Sequence, residues 1–161
     1  MPHDPTDFAV ANGWDRPYPT FDPPEIPNYS GAVSWCKRPV VEDAAELRQR
    51  RPDVAIVGAP FDDGVSYRSG ARFGPRAIRQ ATYTQGGYSL QLDVAPFEVL
   101  DVVDAGDANV VPAWLDRGHA MVFRKVLEVA SSGAIPIILG GDHSITWPGA
   151  TAVAQVRAPR S

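Results

Sequence analysis

The sequence holds a single cysteine, Cys36, in 161 residues. One thiol forms no internal disulfide, so nothing in the chain demands an oxidising compartment. Cys36 reads as a packed or half-exposed side chain rather than as a reactive thiol or a metal ligand. No apolar run approaches the length of a membrane span. The first residues, "MPHDPTDFAVANGWDRPYP", lack a basic start followed by an apolar core, so no secretory leader is expected. A basic excess is lacking too. The formal net charge of −4 argues against a protein that holds nucleic acid by its phosphates. The longest basic cluster, "RQRRP" at 48–52, reads as a solvated helix end. The G-x-G-x-x-G spacing and a Walker lysine are both absent, which excludes the common nucleotide loops. The expectation is a cytoplasmic protein with no membrane and no nucleic-acid partner.

Proline is abundant, and unevenly placed. Nine of the sixteen prolines precede Asp53. Proline fixes φ and removes a backbone donor, so residues 1–52 are expected to form an irregular leader lying over a surface. One short helix interrupts it near "VEDAAELRQR", 41–50, with acidic residues early and arginines late, as the helix dipole prefers.

From Asp53 a rhythm sets in. "DVAIVGAP" (53–60) and "AIPIILGG" (134–141) are apolar runs closed by glycine or proline, and each reads as a buried strand; "FEVLDVVDAGD" (97–107) reads as a buried strand and the loop after it. "GPRAIRQAT" (74–82) opens a helix on Pro75. "PAWLDRGHAMVFRKVLEVASSG" (112–133) is the clearest helix, with Leu115, Met121, Val122, Val126 and Val129 on one face and Gly133 as its cap. "SITWPGATAVAQV" starts another helix, with Pro148 awkwardly placed. Strands without polar alternation, separated by helices, indicate an α/β fold: a parallel sheet covered on both faces, in three layers. The domain is placed at 53–161.

In such sheets the working loops lie at the carboxyl ends of strands. "GGDHS" is one. Gly140 and Gly141 permit a sharp exit, and Asp142 and His143 project beyond it. His143 is either a ligand for a divalent transition metal or a histidine satisfied by local hydrogen bonds. Asp142 either ligates as well or orients its loop. In the loop 61–75, Asp62 and Asp63 make a turn, and Arg68 and Arg72 are either surface charges or partners for carboxylates. The two loops are expected on the same edge of the sheet. His119, mid-helix, is read as structural or solvent-facing.

Together these stretches resemble one family. "GAPFDDGVSYRSGARFGPRAIR" (58–79), followed by "GGDHSITWP" (140–148), is similar to the signatures of the ureohydrolases, the arginases and agmatinases. "VVDAGDANVVP" (102–112) fits the segment between them, and "IPNYSGAVSWCKRP" (26–39) resembles the leader of the agmatinase-like branch. The resemblance implies an arginase-like fold and a binuclear manganese hydrolase that splits a guanidino compound, agmatine or one like it, into urea and an amine. A complete enzyme of this kind is expected to be a homo-oligomer. The resemblance makes His143 a metal ligand, with Asp142, Asp62 and Arg72 in supporting places. The family's later ligand motifs, Asp-x-His-x-Asp and Asp-x-Asp, do not occur in this sequence, and neither do its catalytic residues. Residues 1–161 therefore look like the N-terminal half of a ureohydrolase and are expected to be inactive alone. The alternative is a non-catalytic short form that associates with a full-length ureohydrolase.

Overall fold

The structure, a computed structural model, describes residues 31–84 and 87–157. Residues 1–30, which make up most of the expected leader, lie outside the described residues. The remainder of that leader packs onto the domain: Val41 and Leu47 sit in the hydrophobic core. Helix α1, Ala44–Arg50, starts where the Asp43 carboxylate accepts from the amides of Ala45 and Glu46, and Arg51 ends it in a left-handed conformation. Its basic end is solvated, and Arg50 pairs with Asp101.

Three parallel strands follow: β1, Val54–Ala59; β2, Val102–Asp107; β3, Ile135–Gly140. Their order is β2-β1-β3. Helix α2, Gly74–Ala81, lies between β1 and β2, with Pro75 in its first turn. Helix α3, Pro96–Val99, is a single turn inside the stretch read as the start of a strand. Proline there presets φ and lacks the donor that an added strand residue would need. Helix α4, Leu115–Ser131, leads to β3, and α5, Thr146–Arg157, follows it. Pro148 falls in the first turn of α5, where a missing N–H costs no intrahelical bond.

The two faces of β1 meet different helices. Ala55, Val57 and Ala59 join Val122, Val126 and Val129 of α4 in the core. On the other face Gly58 abuts Arg79 of α2 and Asp107. This is the expected three-layer arrangement. Each buried valine of α4 stabilises the contact by roughly 1.5–3 kcal/mol. Leu115, read as part of that face, is exposed, because it stands in the first turn of the helix, ahead of the buried stripe.

β3 also departs from a fully buried strand. Ile135 and Ile137 are 52% and 45% exposed. β3 pairs with β1 along one edge, and no strand of the described residues covers the other. The outer edge of β2 is partly covered: Val41 donates to Asp104, and Asp104 donates to Pro39.

Candidate functional site

β1 and β3 end together, Ala59 opposite Gly140. The chain leaves β1 toward α2 on one face and leaves β3 toward α5, which packs on α4 at the other. The carboxyl ends of neighbouring strands whose exits diverge in this way are the usual ligand position in α/β sheets. The loops 61–75 and 141–145 line that edge, and backbone bonds tie them together. Asp142 N–H donates to the Phe61 carbonyl at 2.8 Å. Gly141 makes the approach with φ +50, and a Cβ there would run into the carbonyl oxygens of Phe61 and Ala59. Gly118 of α4 leaves room for the Phe61 ring in the same way.

Asp142 is the clasp. Its Oδ1 accepts from the amide and the hydroxyl of Ser144, and its Oδ2 accepts from the Gly64 amide at 2.8 Å. Both oxygens are engaged by the protein, so the arrangement favours loop support over metal ligation. His143 opens a 3-10 turn, His143–Ile145, and is exposed. Its Nδ1 lies 3.5 Å from Thr146 Oγ1, and its Nε2 has no partner among the described residues. His143 is therefore an exposed imidazole with one unengaged nitrogen at the carboxyl edge of the sheet, not a satisfied core residue.

The loop 61–75 is organised by Asp62, which is 1% exposed. Its carboxylate accepts from the amides of Gly70 and Arg72 and from Arg72 Nε. Burial pushes this carboxyl up, but the two amides and the Arg72 guanidinium outweigh it and hold it below the ordinary aspartate value. Arg72 also donates to Asp63, whose other oxygen accepts from the Ala113 amide. Arg72 is thus a carboxylate partner. Arg68 is not: it lies over the Tyr67 ring, 5.1 Å from its centroid.

Sequence reasoning missed a second cluster. Arg79 donates from Nε and Nη2 to Asp104, at 2.7 and 2.8 Å, and from Nη1 to Asp107 at 2.6 Å. Asp104 also accepts from the amides of Trp35 and Gly106. A bulge brings Asp107 into line: the register slips between Ile56 and Gly58, and Gly106 takes φ +73. Burial raises the Asp104 carboxyl, and Arg79 with the two amides more than reverses this, so it stays below its ordinary value. The available signal was three charged residues in otherwise apolar segments, Arg79 in "AIRQA" and the two aspartates of "VVDAGD".

Among the described residues no three His, Cys, Asp or Glu side chains converge where they could hold a metal ion. Asp62, Asp104 and Asp142 are engaged by arginine or amide donors. The described residues therefore do not by themselves fit a two-metal centre; at this edge of the sheet they offer the unengaged Nε2 of His143.

A model of the Arginase family matches residues 52–160. The chain belongs to the arginase family. The mitochondrial agmatinase of Gallus gallus is 40% identical over 129 residues, 80% of this chain and 36% of that protein. The guanidinobutyrase of Pseudomonas aeruginosa is 37% identical over 124 residues, 77% of this chain and 38% of that protein. Among solved structures, the proclavaminate amidino hydrolase of Streptomyces clavuligerus superposes with a TM-score of 0.74 at 31% identity, covering 83% of this chain and 43% of that one. A Trypanosoma cruzi formiminoglutamase solved with Mn2+ gives 0.59 at 30%, covering 68% and 37%. The chain thus spans well under half the length of the family members it matches. Among its described residues, no helix is long and apolar enough to cross a membrane.

Proposed function

We propose that this chain supplies the N-terminal part of a guanidino-compound hydrolase, with His143 as one donor to a manganese centre whose other ligands lie outside residues 1–161. The observation that carries the reading is His143 itself. It has an unengaged Nε2, on a turn clasped by Asp142, at the carboxyl ends of β1 and β3. Relatives named for agmatine and guanidinobutyrate hydrolysis support the substrate class. A guanidinium carbon is a poor electrophile, and paired metal ions in such sites supply hydroxide and charge stabilisation. This chain's own contribution is to hold one imidazole and to shape one wall of the cleft. The rest of the reading is a small guanidino substrate, a homo-oligomer and a cytoplasmic location. Residues 1–161 alone are inactive on this reading.

The test is a chimera in which residues 52–160 replace the matching segment of the Pseudomonas guanidinobutyrase. Urea release from guanidinobutyrate and from agmatine is then measured. Activity that is lost in His143→Ala supports the reading. An active chimera indifferent to His143→Ala removes it.

A second reading has one observation in its favour. The open edge of β3, with Ile135 and Ile137 exposed, suits a short form that adds to a full-length ureohydrolase. Co-purification of residues 1–161 with such a partner, without gain of urea release, would favour it.

A further inference from the structure

We propose that His119 is a positioning residue for the His143 turn, acting by donating its Nε2–H to Ser144. The inference adds a residue to the proposed site and rests on that reading only for its functional consequence; the contacts stand independently.

His119 lies on α4, in the turn that faces Phe61 and the start of α5. Its Nε2 is 2.8 Å from Ser144 Oγ. The direction of this bond follows from proton counting. The Ser144 hydroxyl has one proton and two lone pairs, and it lies against Asp142 Oδ1, an acceptor with nothing to donate. The hydroxyl proton belongs to that bond. Ser144 can then only accept from His119, so the ring carries its proton on Nε2. A chain of donors results: His119 to Ser144, Ser144 to Asp142 Oδ1, and the Gly64 amide to Asp142 Oδ2. It joins α4, the 141–145 turn and the loop 61–75 through the one carboxylate that both loops share.

The ring also packs. Its centroid is 5.3 Å from that of Phe61 and 6.2 Å from that of Trp147. Donation and packing predict different outcomes on substitution, and two variants separate them. His119→Gln keeps a side-chain N–H donor and discards the aromatic ring. His119→Phe keeps a ring between Phe61 and Trp147 and discards the donor.

The experiment is hydrogen exchange, read by mass spectrometry on a dilute solution of residues 1–161, in peptides containing Gly64 and Ser144, with the β1 peptide around Ile56 as the internal reference. The expected result is about fivefold faster exchange at Gly64 and Ser144 in His119→Phe, the size of one net hydrogen bond, with His119→Gln close to the parent and the β1 peptide unchanged in both. If His119→Gln exchanges as fast as His119→Phe, or neither differs from the parent, the donor role is overturned. No metal or substrate enters this measurement, so its outcome is separate from that of the urea assay.

Discussion

Asp104 and Arg79 make the most consequential pair of side chains in the described residues. Asp104 is 1% exposed, and removing it leaves a guanidinium in the core with the Gly106 carbonyl and one carboxylate, Asp107, whose side chain is half in solvent. Asp104→Ala is expected to lower unfolding stability by about 3 kcal/mol, while Arg79→Met with Asp104→Leu costs less than that single change. Urea titration of the two variants checks the order. The same carboxylates set an acid limit. Asp62 and Asp104 have folded pKa values below the ordinary 3.8, so their stabilisation is complete above that value and is lost as pH falls through the folded ones. The unfolding midpoint should be flat from about pH 7 to 5 and drop below about pH 4, less steeply in Asp104→Ala. A drop that begins well above pH 5 would contradict this. The sequence displayed Asp62, Arg72, Asp142 and His143 because each lies within two residues of a glycine that follows or precedes a strand, loop or turn. It hid Arg79 and Asp104, because a charge inside a helix or strand looks the same whether it faces solvent or a partner 25 positions away.

The three strands and two long helices were legible because apolar periodicity survives without knowledge of the tertiary fold. Two things were not. Residues 97–99 looked like more strand, since a four-residue helix is too short to show a helical period. The open edge of β3 was also hidden, because "IPIIL" has the same composition whether one or two neighbours flank it. The exits of the strands carry the sharpest prediction about backbone. Gly141 is left-handed and pressed against two carbonyl oxygens. Gly141→Ala is expected to cost at least about 2 kcal/mol and to break the bond between Asp142 and Phe61, giving fast exchange at the Asp142 amide. Parent-like exchange there would mean that the turn tolerates a Cβ.

At the scale of the whole molecule, the described three-stranded sheet has its β2 edge partly covered by residues 39–41 and its β3 edge open, with no further strand among the described residues. Ile135 and Ile137 on that open edge invite pairing with another chain. Residues 1–161 alone are therefore expected to self-associate with rising concentration in sedimentation velocity, and Ile137→Lys is expected to reverse this; a monomer at every concentration would count against an available edge. The proposed chemistry has its limit at the same scale, since among the described residues the exposed imidazole of His143 cannot by itself confine two ions. The direct test is manganese stoichiometry, measured by equilibrium dialysis on three samples: residues 1–161, the guanidinobutyrase chimera, and the chimera with His143→Ala. The account predicts no tight ion on residues 1–161, two on the chimera, and fewer than two once His143 is removed. Two tight ions on residues 1–161 alone, or an unchanged count without His143, would contradict it.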